Sequence, residues 1–274
     1  MIMGSSENAR FVGNIPEHYD QGLGPVIFAG YADDLARRVE AVNPATVLEI
    51  AAGTGILTRF LRDRLPASVR LTATDLNAPM LERAQAKFGP GEAVEFQTAD
   101  AMVLPFRDAS FDAVACQFGF MFFPDKDRCN REVFRVLDPG GTYLFNVWGS
   151  FDDNPFGRIA YEVVAGFFPS DPPQFYKVPY SCAAIAPIRD SLEGAGFEDV
   201  EVTEVARRGA IPDARAFAHG LVYGNPAIAE IRARGGTDPD TLVEAVAEAL
   251  RREFGPDPGE MPLKIYVYQA RKPE

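Results

Sequence analysis

The feature that most constrains this chain is a short run, Thr46-Val47-Leu48-Glu49-Ile50, that breaks at once into Ala51-Ala52-Gly53-Thr54-Gly55. The run is apolar with β-branched character, and residues 56–65 beyond the glycines read as a helix closed by Pro66. A buried strand, a tight glycine turn and a helix in immediate succession open a βαβ unit. Glycines at 53 and 55 let the backbone bend sharply and let a ligand reach main-chain N–H groups with no Cβ in the way.

The following residues keep the same rhythm. Residues 69–74 form a second strand ending at Asp75, 94–98 a third, 111–118 a fourth and 142–148 a fifth. The fourth is almost wholly apolar, as a strand covered on both faces should be. Asn77 is placed to cap the helix after the second strand, with Pro79 in its first turn and Met80, Leu81, Ala84 and Phe88 facing inward. A helix over 131–137 stops at Asp138-Pro139-Gly140-Gly141, a plain turn. Ahead of the first strand, Tyr31, Leu35, Val39 and Val42 share one face of a helix that Asn43-Pro44 ends. Residues 11–30, rich in Gly, Pro and aromatics, read as irregular structure.

Strands alternating with helices at this spacing predict an α/β fold: a doubly wound, Rossmann-like sheet, mostly parallel. Past Trp148 the rhythm breaks. Residues 149–185 and 207–260 read as helical lid insertions around a helix at 188–195 and a strand at 200–205. The last helix of the second insertion carries a capping box, Thr241 to Glu244, and an apolar face of Leu242, Val246, Leu250 and Phe254. A terminal strand over 263–270 completes one domain over 1–274, with an N-terminal lid at about 1–30.

Charge and cysteine usage narrow the class. The formal net charge is −12 and no basic stripe is visible, which disfavours nucleic acid as a partner. Cys116, Cys129 and Cys182 form neither a CxxC pair nor an even framework, so reduced thiols are expected. With His18 and His219 as the only imidazoles, a structural zinc cluster is not expected, and no metal is assigned. No apolar run approaches the ~20 residues of a membrane span, and the first ten residues lack a secretory pattern. The expectation is a cytoplasmic, acidic enzyme with a small-molecule substrate; oligomerisation is left open.

The chemistry begins at the glycine turn. Asp75 stands twenty residues beyond Gly55, at a strand end, where a carboxylate suits the two hydroxyls of a ribose. Gly53-x-Gly55-x-x-Thr58 nearly matches the dinucleotide fingerprint, but Thr58 replaces its third glycine. At the end of the third strand, the acid of Asp100 and the N–H of Ala101 could read an adenine edge. Glu49, between Leu48 and Ile50, is a buried carboxylate that needs hydrogen bonds. The glycine turn could supply them, and Glu49 could then orient a zwitterionic amino-acid tail.

The segment from Val47 to Gly55 resembles the first motif of class I S-adenosylmethionine methyltransferases. Asp75 matches their ribose-binding acid, and Asp100-Ala101 their adenine-reading pair. Leu104-Pro105-Phe106, Ser110-Phe111-Asp112 and Arg135-Val136-Leu137-Asp138-Pro139-Gly140-Gly141 resemble later motifs of the branch that includes ubiquinone/menaquinone biosynthesis enzymes. The similarity spans about residues 19–148. Ala51 departs from it, standing where the family usually has glycine; a slightly altered turn is expected.

The resemblance implies a seven-stranded sheet whose last strand is antiparallel at or near one edge. It also implies S-adenosylmethionine as cofactor and S-adenosylhomocysteine as product. Gln117 and Phe118 would border the methionine tail, Tyr19 would close over the cofactor, and Leu76 and Met80 would flank its adenine and ribose. Phe122 is grouped with these cofactor residues. A dense aromatic cluster, including Phe120, Phe123, Trp148 and Tyr180, suggests an apolar or aromatic acceptor. His18 and His219 are the candidate bases should the nucleophile have to lose a proton. Two other readings stay open: an NAD(P)-dependent oxidoreductase, for which no convincing Tyr-x-x-x-Lys pair is found, and a non-catalytic nucleotide-binding protein.

Overall fold

The computed structural model describes residues 9–274, so the first eight residues of the expected N-terminal lid lie outside it. Seven strands form one sheet: β1 (Thr46–Glu49), β2 (Arg70–Asp75), β3 (Glu95–Thr98), β4 (Phe111–Gln117), β5 (Leu137–Trp148), β6 (Glu198–Ile211) and β7 (Gly259–Arg271). Their order is β3-β2-β1-β4-β5-β7-β6. β1 to β5 pair in parallel, whereas β7 runs antiparallel to both β5 and β6, one place in from the edge. β1 has β2 on one side and β4 on the other, so the winding reverses there. Ligand crevices of open α/β sheets form beyond the strand carboxyl ends at that point.

The helices are α1 (Ile15–His18), α2 (Ala29–Ala41), α3 (Ile56–Arg64), α4 (Ala78–Gln85), α5 (Lys126–Val136), α6 (Pro155–Phe167), α7 (Ile185–Gly194), α8 (Ala214–Tyr223), α9 (Ala227–Arg234) and α10 (Pro239–Phe254). Along β5 alternate side chains meet different neighbours. Tyr143 and Phe145 stack with Phe197, Phe120 and Tyr268, while Trp148 meets Tyr31 of α2 edge-on. Successive residues of a strand point to opposite faces, so both faces of β5 are covered. Each such side chain, fully buried, contributes about 1.5–3 kcal/mol.

Residues 11–30, expected to be irregular, are mostly helical. α1 runs into a π-helical stretch, Tyr19–Phe28, that continues directly into α2. Gly22, Gly24 and Pro25 are poor helix formers, yet packing overrides that preference. A Cβ on Gly22 would lie 2.7 Å from the Cα of Gly220 in α8, so glycine is what lets the two backbones touch. Pro25 has no N–H to offer, and the widened ladder of a π-helix accommodates it.

Other boundaries shift for local reasons. Asp138 to Gly141 extends β5 across a register irregularity instead of forming a plain turn. β6 and β7 are longer than expected: Ala206 to Ile211 pairs with Gly259 to Lys264, with Met261 and Leu263 buried on one face and Arg208 paired with Glu260 across the strands. The second insertion therefore comprises the helices from Ala214 to Phe254. The expected capping box does not form: α10 starts at Pro239, capped by Asp238, and Glu244 instead pairs with Arg215.

The two insertions are stitched together. Both carboxylate oxygens of the buried Glu230 in α9 accept main-chain N–H groups, from Gln174 and Phe175, at 2.9 Å. The Tyr176 hydroxyl donates to the Leu221 carbonyl in α8. Among the described residues no helix is long and apolar enough to cross a membrane.

The glycine crossing makes a paired prediction. Gly22→Ala should lower the unfolding free energy by about 1–3 kcal/mol through overpacking. Gly166→Ala in α6, where an added Cβ meets nothing within 4 Å, should raise it by about 0.5–1 kcal/mol. Denaturant melts of the two variants check this, and equal destabilisation would count against the backbone contact.

Candidate cofactor and acceptor chambers

The turn after β1 is built from left-handed residues. Ala51, Gly53 and Gly55 have φ of 52°, 58° and 76°, a region costly for a residue with a Cβ. Ala51 thus takes up the backbone shape that glycine would, and the turn keeps its course. Its Cβ is admitted by Gly119, where an added Cβ would lie 2.5 Å from that of Ala51 and 2.8 Å from Cys116 Sγ. The two glycines of the turn have separate tasks. Nothing lies within 4 Å of a Cβ built on Gly53, which borders open space, whereas one on Gly55 would strike Ala84 of α4 at 2.7 Å. Gly55, expected among the cofactor residues, is instead where α3 and α4 pack closely and does not line the cavity.

Asp75 closes the turn from the neighbouring strand. Its Oδ2 accepts the Gly53 N–H at 2.9 Å and its Oδ1 the Asn77 N–H at 2.8 Å. Burial raises the pKa of this carboxyl, and the N–H groups of Asn77 and Gly53 oppose the rise. Asn77 does not cap α4 with its side chain, because that amide is engaged elsewhere. At the end of β3, Asp100 Oδ1 accepts the Met102 N–H, and the Asp100 carbonyl accepts that of Val103. This tight loop presents Ala101. At the end of β4, Phe118 is again left-handed (φ 50°), with its N–H held by Asn146 Oδ1 at 3.0 Å. Gln117 donates to the Phe28 carbonyl.

Glu49 lies beneath the turn, 1% exposed, and its Oε2 has no hydrogen-bond partner among the described residues. The glycine turn does not supply the hydrogen bonds expected for it: the Gly53 N–H goes to Asp75. Burial pushes the carboxyl up to about 8, with the adjacent Thr58 hydroxyl offsetting part of the rise and Asp75 adding to it. Thr58 Oγ1 itself makes no hydrogen bond of normal geometry.

These elements enclose two adjoining chambers. The first, about 720 Å³ counted out to its mouth, is lined by Tyr19, Ala51, Gly53, Asp75, Leu76, Met80, Asp100, Ala101, Gln117, Phe118 and Phe122, and also by Phe123. The second, about 520 Å³, has walls that include Leu23, Phe28, Trp148, Phe156, Phe175 and Tyr180. Phe11, Tyr19, Phe118 and Phe122 belong to both. Phe118 stacks on Trp148 at 4.3 Å, and Tyr19 on Phe28 at 4.8 Å, so the shared wall is a continuous aromatic surface. Burial, then the negative charges of Asp75 and Asp20, keep the Tyr19 phenol protonated by raising its pKa.

Several sequence-predicted residues are placed elsewhere. Phe123, expected at the acceptor, borders the first chamber. Phe120 is fully buried and stacked on Phe145, away from both. His18 and His219 form a T-shaped pair at 4.7 Å beside Tyr223 and line neither chamber. Burial, then His18, lowers the pKa of His219. The two imidazoles meet each other because α1 packs on α8, and that packing keeps them from any reacting atom. Sequence reasoning missed Phe11, Asn77 and Gly119. Only Asn77 carried a signal, as the polar residue two places past Asp75.

A parallel sheet reversing at β1, with acids closing the next two strand ends, defines a nucleoside-binding crevice. The chain belongs to the class I S-adenosylmethionine-dependent methyltransferases, as a relative covered over two thirds of its length shows; the family model described as a methyltransferase domain matches residues 48–145. Over 170 residues the chain is 30% identical to the ubiquinone/menaquinone biosynthesis C-methyltransferase of Escherichia coli, covering 57% of this chain and 67% of that one. Over 116 residues it is 40% identical to the demethylmenaquinone methyltransferase of Deinococcus radiodurans, covering 42% of this chain and 48% of that one. At that higher identity the chain spans about half the length of the relative it matches. Among solved structures, phosphoethanolamine N-methyltransferase 2 of Haemonchus contortus, bound to phosphomonomethylethanolamine and S-adenosylhomocysteine, matches with a TM-score of 0.60 at 17% identity. That match covers 100% of this chain and 61% of that one, and it is a likeness of fold. The oxidoreductase reading finds no support among these relatives.

Two measurements probe the turn. Gly119→Ala should cost about 1–3 kcal/mol, and Ala51→Gly added to it should recover part of that; strict additivity would deny the contact between the two loops. The second concerns Glu49, whose carboxyl sits at about 8 in the folded protein against 4.5 unfolded. A raised folded-state pKa gives stability that is full below 4.5 and is lost as pH rises through 8. Glu49→Gln should therefore gain stability over wild type at pH above about 8 compared with pH near 4.5. Melting the ligand-free proteins at both pH values tests this, and a constant difference between them would refute it.

Proposed function

We propose that this chain transfers the methyl group of S-adenosylmethionine to a small apolar or aromatic acceptor held in the second chamber. One observation carries the reading: a chamber with acids at its strand ends shares an aromatic wall with a chamber lined by no charged side chain. The residues present fit the cofactor. Asp75 would take the ribose hydroxyls, Asp100 and Ala101 the adenine edge, with Leu76 and Met80 flanking the ring. The open side of Gly53 suits the amino-acid end, with Glu49 buried beneath the turn and lining neither chamber, while Gln117, Phe118 and Phe122 would border the sulfur and Tyr19 would cover it.

When bound, the cofactor supplies an electrophilic methyl on a sulfonium. The protein's part is alignment and exclusion of water for in-line displacement. Trp148 and Tyr180 would hold the acceptor's apolar body. Neither chamber offers an imidazole, so His18 and His219 are set aside as bases. Relatives named for methylation of demethylmenaquinone, a quinone, support an aromatic acceptor.

Calorimetry with S-adenosylmethionine, S-adenosylhomocysteine and NAD is the direct test, with binding of the two sulfur nucleosides and not NAD expected. Asp75→Ala should weaken S-adenosylhomocysteine binding roughly tenfold or more, because hydrogen bonds to a carboxylate contribute about 1.5–3 kcal/mol. Asp75→Asn, which keeps an acceptor for the Gly53 N–H, controls for the fold. Unchanged affinity in the alanine variant would remove the ribose assignment.

A further inference from the structure

The walls of the second chamber carry few polar atoms, so those few decide what can be held there. Its nitrogen- and oxygen-bearing side chains are Tyr19, Trp148, Tyr180 and Asn225. The buried Asn225 is committed to the fold: its Oδ1 accepts the Ala227 N–H at 2.9 Å and its Nδ2 donates to the Leu221 carbonyl at 2.7 Å. The same carbonyl takes the Tyr176 hydroxyl at 3.1 Å, so both of its lone pairs are used. Tyr19 borders both chambers, and its phenol lies in the field of Asp75 and Asp20 on the cofactor side. Trp148 contributes an indole N–H, which donates and cannot accept.

Tyr180 is differently placed. It closes the short 3-10 helix Phe175–Tyr180 of the first insertion, and its ring is fixed against Phe151 at 4.3 Å and Phe156 at 6.5 Å. Its hydroxyl rests on the α6 backbone at Gly157, where a Cβ would collide with the phenol oxygen and Cζ. Glycine there seats the ring and leaves the hydroxyl hydrogen as the part free to turn. Burial alone raises the pKa of this phenol, with no charge and no hydrogen bond contributing. The group is a neutral donor with no partner among the described residues. A desolvated hydroxyl left unpaired is costly, and an oxygen on a molecule in the chamber is the partner that completes it.

We propose that the Tyr180 hydroxyl is the specificity determinant of the second chamber, donating a hydrogen bond to a carbonyl oxygen of an uncharged aromatic acceptor. This assignment rests on the second chamber being the acceptor's site, as proposed above. The donors of Tyr180 and Trp148 call for an oxygen that accepts, and a carbonyl offers two lone pairs with no proton of its own to place. With no charged side chain in the walls, a carboxylate or an ammonium would lose its hydration and gain no counter-ion. The acceptor's ring packs on the aromatic row of Trp148 and Phe156, which meet edge-on at 5.6 Å.

A set of matched ligands separates these chemistries. 2-Acetonaphthone, 2-isopropylnaphthalene and 2-naphthoate carry a ketone, a hydrocarbon and a carboxylate of the same shape on the same ring. Equilibrium dialysis with S-adenosylhomocysteine at saturation measures the binding of each. The wild-type protein should hold the naphthoate about tenfold or more weakly than the ketone. Tyr180→Phe, which keeps the ring and its packing, should weaken the ketone about three- to tenfold and change the hydrocarbon by less than about twofold. Equal changes for ketone and hydrocarbon, or an unchanged ketone, overturn the role of Tyr180. Naphthoate bound as tightly as the ketone overturns the selection for uncharged acceptors. If none of the ligands binds the wild-type protein while S-adenosylhomocysteine does, the second chamber is not the acceptor's site and the assignment falls with that reading.

Discussion

The hydrogen bond from the Gly53 N–H to Asp75 Oδ2 joins the end of β1 to the end of β2. It holds the left-handed turn open on the side where nothing crowds Gly53, and it fixes the carboxylate at the rim of the first chamber. Asp75 in turn receives Asn77, whose amide holds the backbone of Ala9 and Phe11. One buried acid therefore organises the turn, the mouth and the shared aromatic wall. Its desolvation is costly, and N–H donors from Gly53 and Asn77 offset that cost.

How much of this was legible in the sequence depends on the range of the forces involved. The strands from Thr46 to Trp148 were readable because a parallel sheet demands apolar runs at regular spacing, and each run ends in a residue of special shape or charge. Asp75 and Asp100 stood out as acids at strand ends. The N-terminal helices were not readable, because Gly22 obeys a contact with Gly220 of α8 that lies about two hundred residues away in sequence. Phe11 was hidden for a like reason, since two of the three rings it meets, Phe122 and Phe175, lie more than a hundred residues away. Gly119 looked like any loop glycine until Ala51 was found opposite it.

The histidines teach a related lesson. Both were sensible candidates by chemistry, yet the packing of α1 on α8 turns them toward each other. Chemical type alone does not place a side chain. The aromatic residues sorted themselves in the same way: Phe118 and Trp148 stack to make a chamber wall, whereas Phe120, one residue pair from Phe118, is consumed by the core.

The antiparallel β7 has a consequence for how the molecule is assembled. It lies between β5 and β6, and β6 pairs with no other strand. During synthesis β6 emerges before its partner and must wait with both edges unpaired through the whole of α8 to α10. Unpaired strand edges invite association with other chains. The exposed, charge-rich side chains along β6, among them Glu198, Glu201, Glu204, Arg207 and Arg208, would keep that waiting strand soluble until β7 arrives to close the sheet.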